Sequence, residues 1–359
     1  MRLTTPRRAV VALGGAFVLA LALAGCVESD RPSSGSGDEA SDCPWEADDS
    51  IEATAEIGYQ PIPNGDLIVK DQGVLEACMP NADITWTSFP SGGDVVAAFG
   101  SESIHIGLAG SSPATIAVSE PLMLPVSVVW IHDVIGEAES LVVKDTSITD
   151  ITGLEGKTIA VTFSSTAHYS LLQALTDAGM DSNNDVKLIN LEPEKMEAAW
   201  DGADIDAAWV WDPTLSQLEK DGKIILSSAD TAEAGKPTYD LGLASNDFVA
   251  DNPEFMTQWA KAQDWAVTML NDDPDAAAES IAVELSLDNI EDAKALFDGL
   301  TYLNAADQAS ADWLGGKLGE DLFNTAKFLY AQGGIDEVGP EQQYADAVDA
   351  TPAESAAQE

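Results

Sequence analysis

Between residues 51 and 340 the chain alternates short apolar runs with stretches of helical spacing. Apolar runs at 56–60, 84–89, 105–108, 126–130, 140–143, 158–163, 186–191, 207–211 and 239–245 have the length and side-chain character of strands. Apolar positions three and four apart predict helices over 66–77, 94–99, 114–118, 194–200 and 255–270, the last being the longest amphipathic run. The strand–helix rhythm runs twice, over about 55–135 and 140–235, and a return strand and a largely helical stretch follow. Such a rhythm predicts an α/β fold with mostly parallel sheets and helices on both faces. After Gly339 the chain turns acidic and Ala-rich, which reads as a loosely held tail over 341–359.

Polar residues interrupt this pattern most tellingly at strand ends. The run 158–163 meets Ser164-Ser165-Thr166, and then a helical pattern with Leu171, Leu172 and Leu175 on one side. A strand that turns there into a helix presents hydroxyls, unpaired backbone N–H groups and the positive end of the helix dipole together, a seat for an anion. His168 falls in the first turn of that helix. Gln60 and Gly110-Ser111-Ser112-Pro113 stand at two other strand ends, and ligands of open α/β sheets bind beyond such ends. Ser112 beside Pro113 also fits ordinary helix capping.

Other residues carry two readings. His168 is a ligand contact or a structural histidine. As a general base for a nearby serine it lacks both a Gly-x-Ser-x-Gly elbow and a local acidic partner. Trp209 and Trp211 share one face of a strand, and the break at Asp212-Pro213 sets Trp211 nearer a cleft, as a ligand wall or a cation–π surface. Glu139 and Asp240 each precede an apolar strand, as surface acids or as counter-charges for a ligand ammonium. Asp181 to Glu192 mimics the spacing of a calcium loop, but Val186 stands where that loop needs Gly. No Cys/His cluster and no Gly-rich phosphate loop occur, so neither metal nor cofactor is expected.

The ends and the charge add compartment and partners. Arg2, Arg7 and Arg8 precede an apolar stretch over 9–24 that closes in Leu23-Ala24-Gly25-Cys26. This is a signal peptide over 1–25 resembling a bacterial lipobox, with Cys26 as the lipidated residue, so an extracytoplasmic protein anchored to the cell membrane is expected. The Arg7-Arg8 pair hints at twin-arginine export, though its flanks fit poorly. Residues 26–50 are Ser, Gly, Asp and Glu with little apolar content, a flexible acidic tether. In an oxidising compartment Cys43 and Cys78 are expected to form a disulfide. A formal net charge of −46 excludes nucleic acid as a partner. Beyond the leader the only arginine is Arg31, in the tether, so no guanidinium fork is available to hold an anion in the folded part.

Several blocks together resemble the taurine-binding proteins of bacterial sulfonate ABC importers, within the wider sulfonate, nitrate and thiamine-precursor binding group. They are Ser91-Gly92-Gly93, the stretch from His105-Ile106-Gly107 to Pro113, Glu139-Ser140-Leu141-Val142-Val143, and Ser165-Thr166-Ala167-His168-Tyr169-Ser170-Leu171-Leu172. Ile205-Asp206-Ala207-Ala208-Trp209-Val210-Trp211, Leu218-Glu219-Lys220-Asp221-Gly222-Lys223 and Pro237-Thr238-Tyr239-Asp240 complete the set, in family order over about 55–330. The resemblance implies a two-lobed periplasmic binding protein of type II with two crossover strands as hinge. Lobe 1 would take 51–137 and 238–340, and lobe 2 would take 138–237. Gln60, Ser111, Ser112, Ser165, Thr166 and His168 would surround a sulfonate, Glu139 and Asp240 would face an ammonium, and Trp211 would wall the site. A zwitterion needs no guanidinium, which accords with the missing arginine. A monomer delivering its small ligand to an ABC permease is expected. The chain departs from the family at Pro61-Ile62-Pro63, at Asp212 and at Leu241-Gly242-Leu243.

Overall fold

The computed structural model of the protein describes residues 42–358. Their strands are β1 (Thr54–Tyr59), β2 (Asp83–Ser88), β3 (Ile106–Gly110), β4 (Val126–Ile135), β5 (Glu139–Val143), β6 (Thr158–Val161), β7 (Lys187–Asn190), β8 (Ala207–Trp211), β9 (Lys223–Ser227), β10 (Tyr239–Ser245) and β11 (Leu300–Thr301). They form two sheets, in the orders β11-β4-β10-β3-β1-β2 and β7-β6-β8-β5-β9. The chain therefore leaves the first sheet after β4, builds the second from β5 to β9, and returns with β10.

Both sheets are mixed, which corrects the expectation of mostly parallel ones. The βαβ units give parallel pairs, β1 with β2 and β3, and β6 with β7 and β8. The strands next to the crossings run against them: β10 against β3 and β4, and β5 against β8 and β9. A strand that enters from the other sheet arrives from the opposite end, so it pairs antiparallel. Apolar periodicity carries no signal of that direction.

Alternation along the strands decides where each side chain is buried. In the second sheet Leu141 and Val143 join one apolar cluster with Val161, Leu171 and Trp209, whereas Val142 joins another on the opposite face with Ala160, Met196 and Val210. One larger cluster fills the first sheet's side, where Leu67, Ile68, Trp130, Trp259 and Leu322 come from strands and helices far apart in sequence. The expected helix over 66–77 is two, Gly65–Gln72 and Val74–Cys78, because Gly73 between them takes a left-handed φ of 61°. The calcium-like spacing runs into the strand β7, and Asp181 accepts from the Asn183 N–H.

Two expectations about the ends need correction. Residues 341–356 are not a loose tail: helices Glu341–Asp346 and Thr351–Ala356 pack on the first sheet's side, burying Tyr344 and Ala353, and Val348 bridges to Val128 in β4. The acidic composition masks the few apolar positions that do this work. The tether does not extend to residue 50 either. Cys43 is disulfide-bonded to Cys78, Trp45 Nε1 donates to Gln258 Oε1 at 2.6 Å, and Asp48 N donates to the Cys78 carbonyl at 2.8 Å. Cys26 and the leader lie outside the described residues.

Candidate functional site

The two sheets meet at a cleft of about 520 Å³, open solvent at its mouth included. Strand register explains which side chains reach it. On the first sheet Gly110 in β3, Asp240 in β10 and Asp133 in β4 lie side by side, since Asp240 pairs with both of the others. On the second sheet Glu139 in β5 lies opposite Trp211 in β8. All five residues line the cavity. A register shift between Asp240 and Leu241 marks an irregularity beside the site, a place where strands often re-aim side chains.

Gly110 allows the two halves to approach. A Cβ there would lie 2.6 Å from Cγ2 of Thr166, which belongs to the second half, so any side chain would push the halves apart.

Four carboxylates line the cavity, Asp212 among them, and burial raises the proton affinity of each. Glu139 accepts from Thr166 Oγ1 at 2.5 Å and from Ser228 Oγ at 2.7 Å, yet burial outweighs these bonds and lifts its pKa to about 7. Asp240 is lifted to about 7 by burial and by the nearby charge of Glu139. Asp133 is pushed well above the carboxylate range by burial, then by Asp240 and Glu139. Neither oxygen of Asp133 has a hydrogen-bond partner. Among the described residues that line the cavity there is no lysine, arginine or histidine to compensate.

The neutral polar lining of the cleft comes from the turn after β6 and from Gln60, just past the end of β1. Ser165 caps helix Thr166–Asp177: its Oγ accepts from the His168 N–H at 3.1 Å and donates to the Thr162 carbonyl at 2.7 Å. Ser164, just before it, takes a left-handed φ of 64° that turns the strand into the helix. Gln60 is nearly fully buried, and its Nε2 donates to the Leu108 carbonyl at 3.1 Å.

Of the nine ligand-binding residues expected, Gln60, Glu139, Ser165, Thr166, Trp211 and Asp240 line the cavity together. Ser111 and Ser112 do not, although Gly110 and Pro113 beside them do. Ser111 Oγ accepts from the Tyr239 N–H at 3.3 Å, and Ser112 Oγ is buried without a partner. His168 does not line this cavity either. Its ring stacks on Phe163 at 4.6 Å, its Nδ1 accepts from the Ser164 N–H, and it opens on a separate depression beside Lys187 and Gln332. One turn of helix carries it away from the strand end.

Sequence reasoning missed Asp133 as a cleft residue, and it noted Asp212 only as a departure from the family pattern. An acid inside an apolar run looked like the end of a strand, so β4 was expected to stop at Trp130. The continuation Val134-Ile135 after His132-Asp133 was the available signal. Asp212 lines the cavity but is engaged locally, accepting from the Ser216 N–H at 2.9 Å and Oγ at 2.6 Å.

The profile of the NMT1/THI5 like family matches residues 85–277. The chain belongs to that family. It is 37% identical over 262 residues to the taurine-binding periplasmic protein of Escherichia coli (strain K12), covering 72% of this chain and 80% of that one. In structure it is similar to the alkanesulfonate-binding protein SsuA from Xanthomonas axonopodis pv. citri, bound to MOPS, with a TM-score of 0.66 and 22% identity over 82% of this chain and 98% of that one. The desulfurization enzyme DSZB shares the fold, with a TM-score of 0.62 and 15% identity over 85% of this chain and 99% of that one. The two-lobed α/β architecture of this NMT1/THI5-like chain is thus one that serves both binding proteins and an enzyme.

Proposed function

We propose that the protein is the extracytoplasmic solute-binding component of an ABC importer, holding taurine or a close amino-sulfonate in the cleft between its sheets. The observation that carries this is the make-up of the cavity lining. Carboxylates from β4, β5 and β10 line it with no lysine, arginine or histidine among the described lining residues, and the Ser165-Thr166 turn lines it beside them. A cation fits the carboxylates, and the backbone N–H groups at the start of helix Thr166–Asp177 suit a weakly basic anion such as a sulfonate, so the two ends of a zwitterion are both accommodated. The 37% identity to a taurine-binding relative supports the choice of ligand.

Contacts from both sheets favour a closed form when ligand bridges them, and ligand shifts the population by its extra affinity for that form. The crossings after β4 and before β10 would serve as the hinge between lobes at 51–137 with 238–340 and at 138–237. Lipid attachment at Cys26, a monomeric state and delivery to a permease complete the proposal. An enzymatic role on this fold has less support, because the relative at 37% identity is a binding protein by name, whereas the enzyme that shares the fold is 15% identical.

A thermal-shift panel of taurine, hypotaurine, alkanesulfonates and quaternary amines tests the ligand class. Taurine is expected to raise the melting temperature most. A response to alkanesulfonates or quaternary amines with none to taurine would replace the proposed ligand.

A further inference from the structure

Asp133 stands out among the described residues that line the cavity. Its side chain is fully buried, lines the cavity, and has both oxygens unpaired. A buried carboxylate in that condition is strongly disfavoured unless something from outside completes it. Its neighbours cannot do so. Asp240, directly opposite on β10, is another acid. Glu139 already takes the hydroxyls of Thr166 and Ser228. Tyr302 donates to the Pro63 carbonyl instead, at 2.8 Å. His132, next in sequence, stands near Asp66 at 3.7 Å and does not line the cavity.

We infer that Asp133 determines specificity in the cleft: with Asp240 and Glu139 it forms a three-carboxylate seat for a primary ammonium group. This rests on the amino-sulfonate reading of the cleft and sharpens it. A primary ammonium brings three N–H donors, and three strands each present one carboxylate to it: β4, β10 and β5. Two of those strands belong to the first sheet and one to the second, so the same group ties the halves together. A quaternary ammonium brings charge without donors and leaves the Asp133 oxygens unpaired. A hydroxyl brings one donor without charge. Three crowded acids in an empty cavity retain protons, so an arriving cation displaces protons rather than meeting three full charges.

Calorimetric titration with taurine, its N,N,N-trimethyl derivative and 2-hydroxyethanesulfonate tests this on the wild type and on Asp133→Asn. The wild type is expected to prefer taurine over the trimethyl derivative by about 100-fold or more, because a site built for N–H donors rejects analogues lacking them. Asp133→Asn is expected to lose about tenfold or more for taurine while holding or tightening on 2-hydroxyethanesulfonate. The wild-type ratio needs no variant, so it can overturn the inference even if Asp133→Asn does not fold, and Asp133→Glu, which keeps the charge, is then expected to retain more taurine affinity than Asp240→Asn. Equal binding of taurine and its trimethyl derivative, or unchanged taurine affinity in a folded Asp133→Asn, overturns this inference alone. A wild type that binds none of the three overturns the amino-sulfonate reading and this inference with it.

Discussion

The turn after β6 and the acid row on β4 and β10 both reach the cleft, but they are prepared for it in opposite ways. At the turn the hydroxyls are already engaged. Ser165 holds its own helix, and Thr166 donates to Glu139. Only backbone groups and geometry remain to offer. In the acid row, Asp133 has no partner at all and lies opposite another acid, an arrangement that destabilises paired strands. Side chains that satisfy themselves shape a site, and those left unsatisfied select what enters it.

The comparison is broken most forcefully at Asp240. Asp240→Asn is expected to weaken taurine binding by about 30-fold or more, since a charged hydrogen bond is lost. The melting temperature of the ligand-free protein should hold or rise, because the variant relieves repulsion from Asp133. A fall in melting temperature with affinity retained would make Asp240 a structural acid.

Next comes pH. Glu139 and Asp240 have folded pKa values near 7, above their ordinary values of 4.5 and 3.8. Their protonated forms are the ones the empty fold favours. The associated stability is therefore fully present below about pH 4 and is lost as pH rises through about 7. Between these limits the acid row makes a falling contribution to ligand-free stability, while taurine affinity rises because the cation needs ionised partners. Asp240→Asn should flatten both trends. Affinity that falls between pH 5.5 and 8 would contradict the acid row as cation seat.

Smaller effects are expected at the turn. Thr166→Val removes a donor to Glu139 and should raise the apparent pKa of the binding profile, with a loss of affinity of about five- to tenfold. Ser165→Ala should cost about 1 kcal/mol of stability through the lost cap, measured by denaturant titration, with little change in pH dependence. His168→Gln should leave taurine affinity within about twofold, since the ring lies outside the cavity. A tenfold loss there would restore it to the seat.

The same contrast explains what could be read from the sequence. Most strands and helices and the turn at Ser165-Thr166 were legible, because apolar periodicity and hydroxyls at a strand end are local signals, whereas the strands Lys223–Ser227 and Leu300–Thr301 were not, and the crossings between the sheets came only with the family resemblance. Glu139 and Asp240 were legible through the family blocks that contain them. Asp133 was not, because its role depends on β4 running on past Trp130 and lying beside β10, a pairing some 107 residues away in sequence. That His168 falls outside the cavity was not legible, because its distance from the strand end depends on how the helix turns after Ser165. The mixed direction of the sheets and the docking of 341–356 depend likewise on contacts that composition does not encode.

A crystal structure with taurine bound tests the central claim most directly. The ligand nitrogen is expected within about 3 Å of carboxylate oxygens from Asp133, Asp240 and Glu139, with the sulfonate toward Gln60 and the Ser165-Thr166 turn. Taurine seated outside this cavity, or turned so that its sulfonate faces the acid row, would contradict it.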